Sequence, residues 1–113
     1  MSKTIPVFTR NEICVIKEED IVYAKNQMRT VIIHTRDRNY RYYGKLSELA
    51  EQLGEMFYIC HSNVLVNFER IIRMKDNVVT MDDGEVILLG KNTYQAAKRR
   101  FMQYLTSKIR KKD

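Results

Sequence analysis

Up to Gly44 the chain consists of short runs rich in Ile, Val and Tyr, broken by polar clusters every 8 to 12 residues. That rhythm predicts a series of short strands joined by turns. The runs are Thr4 to Phe8, Ile13 to Lys17, Ile21 to Ala24, Thr30 to Thr35 and Asn39 to Tyr43, with Arg36-Asp37-Arg38 as a hairpin tip. Val31 and Ile33 alternate with Ile32 and His34, so both faces of that strand carry apolar side chains. A sheet with apolar residues on both faces needs a layer over each of them.

Beyond Gly44 the period changes. Leu46, Leu49, Ala50 and Leu53 fall at i, i+3, i+4 and i+7, the spacing of one helical stripe, and Gly54 is expected at C′ as its terminator. Met56 to Cys60 and Asn63 to Val66 are again strand-like and flank the polar pair His61-Ser62. Phe68 to Ile71 predicts a single helical turn, followed by strands at Ile72 to Lys75, Asn77 to Met81 and Glu85 to Leu89. Asp82-Asp83-Gly84 is the strongest turn signal, because an Asp-Gly pair tolerates the positive φ of a tight hairpin. After Gly90 the spacing of Tyr94, Ala97, Phe101, Tyr104, Leu105 and Lys108 is helical, with Lys98, Arg99, Arg100, Gln103 and Arg110 mostly on another face. The fold class expected is mainly β, with antiparallel sheets, one short internal helix and a C-terminal amphipathic helix.

At 113 residues, 44% apolar and 30% charged, the chain suits one core. A single proline and the lack of a Ser/Gly-rich run leave no evident linker, and no internal repeat stands out. The longest stretch without a charged side chain, Met56 to Phe68, is 13 residues, whereas a membrane span needs about 20. No signal-peptide pattern opens the chain, so the expected location is the cytoplasm. Cys14 and Cys60, far apart in sequence, read as reduced thiols.

The net charge of +6 is unevenly spread. From Lys91 onward eight basic residues accompany Asp113 alone, a net +7, so residues 1 to 90 carry −1. A polycationic end of this kind suits a phosphate-bearing partner, nucleic acid or anionic lipid, and is also compatible with a solvated basic helix face.

Catalytic machinery is not evident. His34, His61, Cys14 and Cys60 lack zinc-site spacing, and adjacent Cys60 and His61 on an extended chain point to opposite faces, Cys60 inward and His61 outward. No Gly-rich phosphate loop, nucleophile elbow or paired-carboxylate constellation is present, which argues against an enzyme and against a bound cofactor or metal.

Three segments carry a family resemblance: IVYAKNQMRTVIIHT at 21 to 35, YYGKLSELAEQLGEMFYICHSNVLVNFERI at 42 to 71, and the Asp-Gly hairpin running into ILLGKNTY at 87 to 94. Phe57, His61, Val66 and Asn67 keep their spacing after a G-x-L-x-x-L segment at Gly44 to Leu49. In these features the chain resembles the LytTR family of bacterial DNA-binding domains, output modules of two-component response regulators, over about residues 5 to 105. The remaining residues, 106–113, read as a basic tail to a single domain spanning 1–113.

The resemblance implies a β-β-β sandwich that binds duplex DNA through loops entering successive major grooves, and hence a transcriptional regulator acting at promoter direct repeats. The implied DNA-binding residues are Asn26, Gln27 and Arg29 in a first loop, His61, Ser62 and Asn63 in a second, and Lys91 and Asn92 in a third, Gly90 to Thr93, with Lys98 on the next helical turn. Arg29 has the donor fork for guanine O6 and N7, Asn63 or Asn92 can pair with adenine, and Lys91 and Lys98 can neutralise phosphates. His61 and Ser62 can donate to phosphates or base edges. Asn67 is better read as a cap for local backbone groups. Ser62 stands where many relatives carry Arg, and Lys91-Asn92 where many carry an Arg-rich pair, so base preference does not transfer from a relative. Expected partners are double-stranded promoter DNA, a second copy on adjacent repeats, and a receiver domain or regulatory protein, since no receiver sequence is present. Two other readings stay open: RNA or single-strand binding by a basic β domain, and a protein-interaction module that docks through its C-terminal helix.

Overall fold

The structure is a computed structural model that describes residues 3–61 and 63–111. Strands β1 (Thr4–Phe8), β2 (Ile13–Lys17), β3 (Ile21–Gln27), β4 (Thr30–Thr35) and β5 (Asn39–Tyr43) precede helix α1 (Leu46–Gln52). Then come β6 (Phe57–His61), β7 (Val64–Asn67), β8 (Ile71–Lys75), β9 (Val78–Met81), β10 (Val86–Leu88) and helix α2 (Lys91–Lys111). Single 3-10 turns at Glu18–Asp20 and Phe68–Arg70 lead into β3 and β8.

The central antiparallel sheet has the order β5-β4-β3-β7-β6, and it carries a core on each face as the double-sided apolar pattern required. On one face Ala24, Val31, Ile33 and Leu65 pack with Ile5, Val7 and Ile16 of the β1–β2 hairpin, with Leu46 and Leu49 of α1, and with Leu53 just after it. On the other face Val22, Tyr23, Val64 and Val66 pack with Val79, Met81 and Ile87 of the β10-β9-β8 sheet and with Tyr94 and Ala97 of α2. The result is three β layers, with α1 beside the β1–β2 hairpin and α2 beside the β10-β9-β8 sheet, both packed against the central sheet. Strand alternation sends neighbouring β3 residues to opposite cores, and the register shift between Ile21 and Tyr23 explains the exception, consecutive Val22 and Tyr23 both joining the second cluster while Ile21 and Ala24 join the first.

Several boundaries differ from those read in the sequence. β3 continues past Ala24 to Gln27, because Lys25, Asn26 and Gln27 pair in register with Ile32, Val31 and Thr30. Backbone pairing, not side-chain polarity, sets that end. Gly54 is not a left-handed helix terminator. Its N–H donates to the Glu18 carboxylate, and a Cβ there would come within 3.1 Å of Glu18 Oε1, so the absence of a side chain lets the carboxylate approach closely. The Asp82-Asp83-Gly84 turn is wider than a two-residue hairpin: Gly84 N–H donates to Met81 O at 3.0 Å and Gly84 takes φ 91°. The tight hairpin with two left-handed residues lies instead at Asp76 and Asn77, φ 52° and 67°, between β8 and β9. Residues 106–111, set apart in the sequence as a basic tail, continue α2.

Phe68 holds the C-terminal half of α2 in place. Its buried ring lies 5.3 Å from those of both Phe101 and Tyr104 and 5.6 Å from that of Tyr58. Burying and pairing aromatic rings in this way is worth several kcal/mol, about 3–5 when a Phe is truncated to Ala. Outside the core, Glu69 accepts from Lys108 Nζ at 2.8 Å and from the Tyr104 hydroxyl, which fastens the helix end. Among the described residues no helix is long and apolar enough to cross a membrane.

Candidate nucleic-acid interface

The first candidate segment is the tip of the β3–β4 hairpin. Gln27 pairs with Thr30, which leaves Met28 and Arg29 as a two-residue connection. Met28 takes φ 59° and is 94% exposed. Positive φ at the first central position alone is the pattern of a type II′ turn, where glycine is usual. Arg29 is exposed and held at both ends: its backbone carbonyl accepts from Gly44 N–H at 2.9 Å, and its terminal Nη1 donates to the Tyr43 hydroxyl at 3.3 Å. Among the described residues the remaining guanidinium donors have no hydrogen-bond partner and can face a ligand. Gln27 is exposed. Asn26 is half-buried and its Nδ2 donates to Thr30 O at 3.1 Å, so part of its capacity is spent closing the hairpin.

The second segment joins β6 to β7. As the alternation required, Cys60 is buried and His61 exposed. His61 Nδ1 accepts from Asn63 N–H at 3.1 Å, which folds the tip locally and leaves Nε2 as the nitrogen that can donate outward. Asn63 is exposed, and its carbonyl accepts from Asn26 N–H at 2.9 Å. That bond brings the first and second segments side by side. Ser62 lies outside the described residues. Asn67 is not part of this surface: it is fully buried, its Oδ1 accepts from Glu69 N–H and its Nδ2 donates to Ile21 O, both at 2.8 Å. It caps the Phe68–Arg70 turn and ties β7 to the start of β3, the structural role its type and position suggested.

The third segment is not a loop. Gly90 precedes α2, its carbonyl accepts from Tyr94 N–H at 2.8 Å, and Lys91 and Asn92 lie exposed in the first helical turn. The apolar period of α2 starts only at Tyr94, so the polar residues from Gly90 to Thr93 read as a loop in the sequence although the helix opens at Lys91. No acidic residue occupies that first turn. Lys91 therefore sits at the positive end of the helix dipole, an unfavourable placement that an anion at the same spot would relieve. Lys98 is exposed one further turn along, beside the Asp76-Asn77 hairpin. No hydrogen bond or ion pair links Lys91 or Asn92 to the other two segments among the described residues.

Two residues matter here that the sequence did not single out. Tyr43, at the end of β5, meets Arg29 through the pairing of Thr30 with Tyr43, a register that sequence spacing leaves open by one residue. Met28 has no signal of its own beyond occupying a glycine-type turn position.

The other titratable groups belong to packing. Burial pushes the Cys60 thiol up to about 12. His34 stacks on Tyr23 with ring centroids 4.2 Å apart, and burial, assisted by Lys25, lowers its pKa. Neither group faces the candidate interface.

Three findings relate the chain to known proteins. The LytTr DNA-binding domain family model matches residues 11–102. Accessory gene regulator protein A of Staphylococcus epidermidis is 32% identical over 74 residues, 62% of this chain and 31% of that protein. Its counterpart in Staphylococcus aureus is 29% identical over 79 residues, 68% of this chain and 30% of that protein. The chain thus spans under a third of the length of these relatives. The LytTr DNA-binding domain of a Bacillus cereus response regulator superposes with a TM-score of 0.74 at 16% identity, covering 88% of this chain and 95% of that domain, and so shares its fold.

Proposed function

Since this chain belongs to the LytTR family of DNA-binding domains, which are not enzymes, we propose that it binds promoter DNA sequence-specifically with the tips of β3–β4 and β6–β7 and the first turn of α2. The observation that carries this reading is the junction of two exposed polar tips through Asn26 N–H and Asn63 O, with Arg29 braced by Tyr43 beside them. An arginine held at one nitrogen loses less rotamer freedom on binding and keeps a fork for guanine O6 and N7. Asn63, His61 through Nε2, and Gln27 are the further base-edge or phosphate candidates, and Asn26 contributes chiefly by shaping the hairpin. Ser62 is retained with them on sequence grounds alone.

Lys91, Asn92 and Lys98 supply the phosphate contacts and register. The start of α2 suits an anion, and each neutralised phosphate releases counterion, so this end provides salt-sensitive affinity with little sequence content. Two copies on direct repeats one helical turn apart, about 34 Å, would read a promoter cooperatively. In the intact regulator a receiver domain or a separate protein would control occupancy.

The test is anisotropy of the chain with a binding-selected duplex, a random duplex and a single strand. Arg29→Ala is expected to remove about 1–3 kcal/mol of preference for the selected duplex, while Lys98→Ala weakens both duplexes equally. Unchanged preference in Arg29→Ala would refute the base-reading role. Stronger binding to the single strand than to either duplex would refute duplex recognition.

A further inference from the structure

Some arginines of the β layers are held by carboxylates, whereas others, Arg73 on β8 among them, have no such partner among the described residues. Among the described residues Arg36 pairs with Asp82 at 3.3 Å, Arg38 with Glu12 at 2.9 Å and Arg70 with Asp82 at 3.1 Å. Arg10 and Arg41 are exposed and have no carboxylate or hydrogen-bond partner among the described residues. These two line one groove together with Phe8, Thr9, Thr30 and Tyr43. Tyr43 also borders the neighbouring concavity that holds Met28, Arg29 and Lys45, whose single carboxylate is Glu48. An unneutralised guanidinium pair therefore adjoins the first candidate tip, in a part of the chain whose overall charge is slightly negative.

The arrangement is built, because the loop bearing Arg10 is fixed. Thr9 N–H donates to Glu12 O at 2.9 Å, Glu12 is held by Arg38, and the Arg38 guanidinium lies 4.3 Å from the centroid of the Tyr40 ring on β5. The carboxylate nearest to Arg10 in sequence is thus spent on anchoring the β1–β2 turn against β5, which leaves Arg10 and Arg41 beside one groove. Guanidinium forks match phosphate oxygens in number and plane, and the groove offers threonine side chains but no amide group suited to base edges.

We propose that Arg10 and Arg41 clamp a backbone phosphate of duplex DNA flanking the position read by Arg29. This extends the interface onto the β1–β2 turn and β5, beyond the three segments; Arg10 lies just outside the matched family region. The inference rests on the proposed placement of DNA at the β3–β4 tip.

The test uses the full chain, a binding-selected duplex and a random duplex, each titrated with KCl. For the double variant Arg10→Ala/Arg41→Ala, affinity for both duplexes is expected to fall by the same factor. The slope of log K against log salt should shrink by about 0.9 for each phosphate no longer neutralised, and the preference ratio should stay as it was. Arg10→Lys/Arg41→Lys keeps the charge and is expected to retain the slope; it also guards against a folding defect, as does Arg10→Ala alone. An unchanged slope in the alanine variant, or a flattened preference ratio with the slope intact, overturns the clamp. Arg29→Ala run in parallel separates the two ideas: flattened preference there with an unchanged slope in the double variant refutes the clamp alone, and unchanged preference there refutes the tip placement on which it rests.

Discussion

Asn67→Ala is the sharpest perturbation of the scaffold, since it asks whether an asparagine next to a candidate DNA-binding segment serves the fold or the ligand. The side chain is 0% exposed and makes two hydrogen bonds of 2.8 Å, from Nδ2 to Ile21 O and from Glu69 N–H to Oδ1. Each bond is worth about 1 kcal/mol net, and leaving the carbonyl of fully buried Ile21 without this donor adds a desolvation cost of about 1–3 kcal/mol. Glu69 is exposed, so water can take over at its N–H. The loss should be about 2–4 kcal/mol, which for a domain of this size lowers Tm by about 8–17 °C. Urea and thermal unfolding followed by circular dichroism measure it, with anisotropy on duplex DNA well below the variant's Tm as the second readout. A Tm within about 2 °C of the parent combined with abolished DNA binding would refute the reasoning and move Asn67 into the interface.

Three other outcomes follow from particular contacts. Tyr43→Phe removes the hydroxyl that braces Arg29 and is expected to reduce duplex preference by about 2–5-fold, in line with the removal of one hydrogen bond, without altering the salt slope; a changed slope with intact preference would contradict the bracing role. Met28→Gly relieves an L-residue at φ 59° whose side chain is almost wholly exposed, so urea unfolding should show a gain of about 0.5–1 kcal/mol, and a loss of stability would show that the methionine packs. The Lys108 ammonium, with help from the Tyr104 hydroxyl, holds the Glu69 carboxyl below its ordinary pKa. A carboxyl lowered by folding contributes stability above its unfolded pKa and loses it as pH falls through the folded one. Lys108→Ala should therefore cost stability at pH 7, under about 1 kcal/mol for a pair this exposed, and little at pH 3; an equal deficit at both pH values would assign the effect to packing of the lysine stem.

Local signals in the chain determine a good part of this architecture. The apolar content of both alternating sets in β4 demanded a layer on each face of the sheet. The stripe Leu46, Leu49, Ala50 and Leu53 made α1, and the period after Gly90 made α2. Asn67 was legible as a cap because its residue type and its position just before a short turn are enough to define one. These features depend on residues within a turn or a strand of each other, where sequence distance and spatial distance are nearly the same.

What tertiary structure decided is a matter of register and long-range pairing. β3 reaches Gln27 because β4 lies alongside it, and no periodicity in Lys25-Asn26-Gln27 announces that. The role of Gly54 depends on Glu18, which is brought against it from 36 positions away. Tyr43 meets Arg29 only because Thr30 pairs with Tyr43 and not with a neighbour, and a shift of one residue would turn Tyr43 to the opposite face of the sheet. The groove beside Arg10 and Arg41 lies where the β1–β2 turn, tied to Arg38 through Glu12, comes alongside β5, a juxtaposition of residues far apart in sequence. Composition could count the positive charges, but only the fold could choose which of them carboxylates neutralise and which are left exposed beside the candidate interface.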